Sequence, residues 1–244
     1  MHDDVIALLP QAAALARPPI SNFKVGAVAR GTSGKLYFGT NVEFAGEALS
    51  FTVHAEQSAV VNAWMSGERG IDLVGTSAAP CGYCRQFLNE LATDVTVVMP
   101  GQVRKLSELL PSSFGPRDLG IEGGMLQHDG PVLTIDEEDE LAQAALAAAN
   151  LSYAPYSKAY AGVALRTRDG AIVSGAYAEN AAFNPSLSPL QAALSQLNLR
   201  GGAWSDIAEC TLVRASTLHD NATRVVLAAI GDAPLRVVAA RNSA

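Results

Sequence analysis

The chain holds three cysteines, and two of them stand in "APCGYCRQF" as Cys81 and Cys84. Twenty-seven residues before Cys81, "TVHAEQSAVVNAW" places His54 and Glu56 two positions apart where a helix is expected to begin. Imidazole nitrogen and thiolate sulfur are donors that zinc prefers, and a catalytic zinc site takes three protein ligands and leaves the fourth position to water. His54, Cys81 and Cys84 supply that number and those types. A C-x-x-C spacing at a helix start turns both sulfurs toward one point, where the positive end of the helix favours thiolates. The remaining Cys210, His2, His128 and His219 lie elsewhere in the sequence, so an open site is expected rather than a closed structural one. Glu56 then has a task, because a carboxylate beside the open position can take a proton from water and pass it to a substrate. "HAE" alone is a weak signal, and "PCGYC" alone would suit a redox pair or a structural zinc knuckle. The two in this order, with Pro80 ahead of Cys81, are far more specific.

The elements that must position these residues come in two copies. "PISNFKVGAVARGTSGKLYFGTNVEFA" from Pro19 matches "PYSKAYAGVALRTRDGAIVSGAYAENA" from Pro155 at an offset of 136. The shared residues are Pro19/Pro155, Ser21/Ser157, Gly26/Gly162, Arg30/Arg166, Gly34/Gly170, Gly39/Gly175, Glu43/Glu179 and Ala45/Ala181. Each copy reads as a hairpin, with turns at Ser33-Gly34 and Asp169-Gly170. A helix is expected before each hairpin, and an apolar-periodic helix closed by glycine after it, at "HAEQSAVVNAWMSG" and "PLQAALSQLNLRGG". Before the second hairpin, "LTIDEEDELAQAALAAA" offers Thr134 and Glu137 as a capping box, and the acidic run Asp136 to Glu140 suits a helix N-terminus. With the helix near Cys84 and the strand "DVTVVMP", the order helix, hairpin, helix, strand, helix, strand predicts a layered α/β fold. The Pro/Gly/Ser-rich "LLPSSFGPRDLGI" is either a linker or a lid carrying Phe114.

Composition excludes several classes. Apolar residues make up 49% and charged residues 17%, the balance of an ordinary globular protein. The net charge of −7 divides into 9 basic against 11 acidic residues over 1–120 and 8 against 13 over 121–244, so neither half offers the basic surface a nucleic acid requires. No apolar run approaches the ~20 residues that span a bilayer. "MHDDVIALLPQ" carries acidic residues where a signal peptide carries basic ones, so no export signal and a reducing, cytoplasmic setting are expected.

With these motifs in place the sequence resembles the cytidine deaminases, in their longer, two-domain, homodimeric form. His-x-Glu followed by Pro-Cys-x-x-Cys is the known signature of zinc-dependent base deaminases. "SNFKVGAVARG", "YFGTNVEF", "TVHAEQSA", "PCGYCRQFLNEL", "FGPRDLGI" and "YAENAAFNPSLSPLQAAL" carry the resemblance over nearly the whole chain. It implies duplicated three-layer α/β/α domains, each a mixed sheet with helices on both faces. Residues 1–120 would form the catalytic domain, 121–134 a linker, and 135–244 a degenerate, non-catalytic domain. The resemblance makes His54, Cys81 and Cys84 the ligands of one Zn2+ per chain and Glu56 the proton shuttle. Phe23, Asn41, Val42 and Glu43 become the substrate-binding residues, with Asn41 and Glu43 on the ribose and Phe23 against the pyrimidine. It implies hydrolytic deamination of cytidine and deoxycytidine in pyrimidine salvage by zinc-activated water, with a small nucleoside as partner and no membrane or nucleic acid. In the second half a one-residue gap aligns His54 with Pro189 and Glu56 with Gln191, and no P-C-x-x-C follows, so no second reactive centre is expected. A deaminase acting on another base or on nucleic acid, and a zinc scaffold without chemistry, are the rival readings. Glu56 argues against the scaffold, and Asn41 with Glu43 against a polynucleotide.

Overall fold

The computed structural model describes residues 2–242. The elements run α1 (Asp3–Ala14), β1 (Gly26–Gly31), β2 (Leu36–Thr40), α2 (Ala55–Met65), β3 (Ile71–Thr76), α3 (Gly82–Asn89), β4 (Thr96–Met99), β5 (Gln102–Lys105) and the short α4 (Leu106–Leu109). After two 3-10 turns at Pro116–Leu119 and Met125–Gln127 come β6 (Leu133–Thr134), α5 (Glu140–Leu151), β7 (Ala161–Thr167), β8 (Ile172–Ala176), α6 (Pro189–Leu199), β9 (Ile207–Arg214), α7 (Asp220–Ile230), β10 (Leu235–Ala239) and β11 (Arg241–Asn242). Among the described residues no helix is long and apolar enough to cross a membrane.

The first sheet has the order β2-β1-β3-β4-β5. The hairpin puts Val28 opposite Phe38, β1 pairs antiparallel with β3, and β3 pairs parallel with β4, Val74 opposite Val97. Alternation along the strands separates the two faces. Val28, Leu73 and Val98 point at Val5, Leu9 and Ala12 of α1, and form one core layer with them. The opposite face receives α2, which approaches so closely at Gly39 that a Cβ there would lie 2.1 Å from Ala59 N and 2.2 Å from Ala55 O. That approach is why position 39 is glycine. The second sheet, β10-β9-β7-β8, repeats the pattern with β9 and β10 parallel. Leu141, Ala145 and Ala149 of α5 pack on Ala164, Val213 and Val238, and Gly175 takes the place of Gly39. Both units are thus mixed sheets with helices on both faces, the three-layer arrangement expected of the sequence.

The equivalence of the two copies after the hairpin differs from the one-residue gap predicted above. Gly39 faces Ala55 and Ala59, while Gly175 faces Pro189 and Ala193, so the offset falls from 136 to 134. Helix N-caps agree: His54 caps α2 and Ser188 caps α6. Ser188, not Pro189, stands where His54 does, and Leu190, not Gln191, stands where Glu56 does. Gln191 is the counterpart of Gln57, each at the third position of its helix.

The capping expectation before the second hairpin also shifts. Thr134 lies in β6 opposite Arg241 of β11, and α5 starts later, capped by Asp139, whose carboxylate accepts from Ala142 N at 3.1 Å. Short polar side chains compete as caps, and the turn at 135–139 leaves Asp139 as the one in reach. The acidic run is structural: Asp136 pairs with Arg241, Asp139 with Arg236, and Glu140 with Arg166.

Two compact units emerge, and each contains a segment of the other repeat. The first comprises Met1–Glu43, Thr52–His128 and Asn180–Ser186; the second comprises Phe44–Phe51, Asp129–Glu179 and Leu187–Ala244. Phe44 and Asn180 are equivalent at the 136 offset, so the stretch following each hairpin is counted with the opposite unit.

Candidate active site

His54 stands at the N-cap of α2 in an extended conformation (φ −84°, ψ 155°) and Cys81 at the N-cap of α3 (φ −70°, ψ 170°). Both helices therefore start at the same end of the first unit, and Cys84 lies one turn into α3. The turn before it is fixed by Arg85, whose Nε donates to Pro80 O at 2.9 Å. Ligand atoms of His54, Cys81 and Cys84 all lie within 4.8 Å of one another, and theirs is the only such cluster among the described residues. Cys81 Sγ is 3.6 Å from His54 Nδ1 and 3.6 Å from Cys84 Sγ. Tetrahedral zinc with Zn–S near 2.3 Å and Zn–N near 2.05 Å needs separations of about 3.8 Å between sulfurs and about 3.6 Å between sulfur and nitrogen. The donor set fits zinc in type and in spacing.

The electrostatics point the same way. The hydrogen bond shared with Cys84, followed by the one shared with His54, pulls the Cys81 thiol down to about 3. Cys84 shifts upward, because of its contact with Cys81, then burial and the nearby Glu56 carboxylate. The two sulfurs thus share one proton as an isolated pair, while a divalent cation takes both as thiolates. The His54 pKa rises, chiefly through its hydrogen bond to Cys81.

Glu56, in the first turn of α2, is 4% exposed, and its Oε2 lies 3.2 Å from Cys84 Sγ. Burial is the first cause of its raised pKa. A carboxyl held at the edge of the donor cluster, and biased toward its protonated form, is equipped to give and take protons.

The residues that the resemblance assigned to substrate lie next along the chain. Asn41 and Glu43 are buried at 7% exposure each and hold the 20–25 loop. Asn41 Oδ1 accepts from Val25 N and its amide donates to Phe23 O. Glu43 accepts from Ile20 N and Ser21 N at 2.9 Å each and from Ser21 Oγ at 2.5 Å. Burial opposes the ionisation of Glu43, but these donors outweigh it and its pKa is lowered. Val42 is fully buried, with its backbone N–H and carbonyl both paired to Val53, one residue from His54. Phe23 is 61% exposed. Phe114, at the tip of the Pro/Gly/Ser-rich stretch, is tied to α3 through its carbonyl, which accepts from Gln86 and Asn89.

Sequence reading missed three participants. Tyr83, in the middle of the C-x-x-C, stacks on the His54 ring with centroids 5.2 Å apart. Gln57 accepts from His54 N through Oε1 at 3.1 Å and donates from Nε2 to Pro185 O at 2.9 Å. Segment Asn180–Ser186 meets Tyr83, Gln57, Gln86 and Glu90. No local pattern signals these contacts, because the partners are about a hundred residues apart.

A family model described as the cytidine and deoxycytidylate deaminase zinc-binding region matches residues 1–99, and a second model of the same description matches residues 106–224. The chain is 49% identical over 246 residues to a cytidine deaminase of Cronobacter sakazakii, covering 98% of this chain and 83% of that one. It is 51% identical over 242 residues to a cytidine deaminase of Photobacterium profundum, covering 96% and 82%. Among solved structures, cytidine deaminase from Burkholderia pseudomallei aligns with 47% of this chain and 99% of its own at 31% identity and a TM-score of 0.43.

Proposed function

This chain belongs to the cytidine and deoxycytidylate deaminase family, and from that premise we propose that it converts cytidine and deoxycytidine, with water, to uridine and deoxyuridine, releasing ammonia. The observation that carries the proposal is the convergence of His54, Cys81 and Cys84 at zinc spacing with a buried glutamate 3.2 Å from one of the sulfurs. His54, Cys81 and Cys84 hold one Zn2+. When bound, zinc supplies Lewis acidity and brings the pKa of a coordinated water toward about 7.

Glu56 carries the protons. It receives one from the attacking water and delivers it to N3 of the pyrimidine, which readies C4 for attack. Once the water oxygen is bonded to C4, Glu56 takes the remaining proton of that hydroxyl and gives it to the amine, so that the C4–N4 bond breaks, ammonia leaves and the C4 carbonyl forms. Burial raises the pKa of the Glu56 carboxyl above the ordinary carboxylate value, the direction that helps a carboxyl give a proton as well as take one. Asn41 and Glu43 hold the sugar. A carboxylate offers about four acceptor sites, and Ile20, Ser21 N and Ser21 Oγ fill three of those of Glu43, which leaves one for a ribose hydroxyl. Asn41 keeps a second amide hydrogen for the same purpose. Val42 fixes this stretch beside His54 by its pairing with Val53, and Phe23 presents its ring to the base.

We infer the same division of labour that the repeat suggests: 1–120 catalytic, 121–134 linking, 135–244 without a reactive centre. Ser188 and Leu190 at the positions of His54 and Glu56 support this, since leucine moves no proton and the set lacks imidazole and thiolates. A homodimer in the cytoplasm, serving pyrimidine salvage, completes the reading. Support for the reducing compartment comes from the need of Cys81 and Cys84 for the thiolate state, and for a partner surface from the exposed Phe23.

The test is the ultraviolet change of cytidine mixed with purified protein, with zinc determined on the same sample. Turnover with about one zinc per chain is the expected result. One zinc without turnover of either nucleoside would remove cytidine as the substrate, and carefully prepared protein free of zinc would overturn the ligand assignment.

A further inference from the structure

Metal-bound histidines commonly give their second ring nitrogen to a carboxylate or carbonyl, which fixes the ring. His54 is also held by an aromatic ring and a side-chain amide. Its Nδ1 faces Cys81 Sγ at 3.6 Å. Tyr83 stacks on the imidazole at an interplanar angle of 27°, and Gln57 Oε1 accepts from the His54 backbone N–H. Tyr83 and Gln57 also contact each other through their side chains.

Both are anchored to consecutive carbonyls of one segment. The Tyr83 hydroxyl donates to Asn184 O at 2.8 Å, and Gln57 Nε2 donates to Pro185 O at 2.9 Å. That segment is in turn fastened to α3, the helix that carries Cys84. Asn180 Nδ2 donates to Gln86 O at 3.0 Å, and Ala181 N donates to the fully buried Glu90 carboxylate at 2.8 Å. Asn180–Ser186 belongs to the second repeat by sequence and to the first unit by packing. Phe183 inside it adopts φ +60°, a conformation costly for an aromatic residue and one that persists where surrounding contacts over-determine it.

We propose that Tyr83 and Gln57 are positioning residues for His54, and that segment Asn180–Ser186 is the fixed rail from which they set the direction of its imidazole. The second repeat, without a reactive centre of its own, thereby sets the geometry of the first. A ligand constellation needs its donors held within about 0.5 Å and 10–20° of the productive arrangement. A ring stacked on one face, in a residue gripped at its backbone N–H, meets that need. The proposal rests on the zinc deaminase reading given above.

The test compares Tyr83→Phe, which keeps the stacked ring and removes the hydroxyl, with Gln57→Met, which keeps the volume and removes both hydrogen bonds. The first readout is the rate at which zinc passes to a chelator in excess. The second is the visible ligand-field spectrum of the cobalt-substituted protein, and the third is the split between kcat and KM. Loss of an outer contact to a metal ligand typically costs 10–100-fold in affinity, so zinc release about 10-fold faster is expected in each variant. Shifted cobalt bands and a kcat that falls more than KM rises are expected with it. Release rates and cobalt bands equal to those of the parent, in protein that binds zinc and turns over cytidine, would overturn the proposal while leaving the deaminase reading intact. So would a lowered thermal midpoint of the zinc-free variants with no change in those two readouts, since that is what a purely structural role produces. A parent protein without zinc would overturn both readings.

Discussion

Replacing Glu56 by Gln removes a proton carrier and changes little else. The side chain is 4% exposed, nearly isosteric with glutamine, and already driven toward its neutral form by burial. Fold and ligand set are therefore expected to survive, with an unchanged or raised thermal midpoint and about one zinc per chain. Proton transfer by a positioned side chain contributes ~10²–10⁴ in rate, or about 2.7–5.4 kcal/mol of barrier, so kcat is expected to fall at least 100-fold. Glu56→Asp makes a finer test. It keeps the carboxylate but withdraws it by one carbon–carbon bond, about 1.5 Å, from a point now 3.2 Å from Cys84 Sγ. A displacement of about 1 Å at a reacting group can cost ~10²-fold, so the aspartate variant is expected to be nearly as impaired as the glutamine one. The assay is the ultraviolet change on cytidine with zinc content measured beside it. Near-normal turnover in Glu56→Gln at full zinc occupancy would refute the proton-carrier role. Loss of zinc from that variant would instead make Glu56 a ligand.

Gly39→Ala drives a methyl to within 2.2 Å of α2 backbone atoms that cannot yield without moving the helix that bears His54 and Glu56. Overpacking of this kind costs about 1–3 kcal/mol or more, so a lower denaturation midpoint together with reduced kcat is expected, while Gly39→Ala with parental stability would contradict the packing described. Asp139→Asn tests the acidic run in the second unit. Arg236 first, and then the Ala142 N–H, hold the Asp139 pKa down to about 2, against about 3.9 in an unfolded chain. A depressed carboxylate stabilises above its unfolded pKa and loses that contribution as pH falls through the folded one. Asparagine caps as well as aspartate, so the thermal deficit of the variant is expected above pH ~4 and should vanish near pH ~2. A deficit independent of pH would assign the effect to the cap instead of the charge.

Several features of this protein are legible in the one-dimensional chain because their causes are local or chemical. Zinc accepts few donor types, so His54, Cys81 and Cys84 stand out in a chain of three cysteines, and Glu56 is marked by its distance from His54. The duplicated hairpins are visible because turns and close helix approach demand glycine at Gly34 and Gly39 and again at Gly170 and Gly175. Periodicity then places α2 and α6 with little ambiguity. Other features depend on contacts that no local pattern encodes. The cap of α5 falls on Asp139 and not on Thr134 because β6 claims Thr134 for a strand pairing with Arg241, about a hundred residues away. The replacement of His54 by Ser188 becomes certain only when Gly39 and Gly175 are seen against their helices, since a gap in a loop has no signature in sequence. Tyr83 looks like a variable spacer until its ring is found on His54 and its hydroxyl on Asn184. The side-chain chemistry of the centre follows from residue identity, which the sequence carries in full. The orientation of that chemistry follows from packing between distant segments, and only the folded chain brings Asn180–Ser186 to the ligands it steadies.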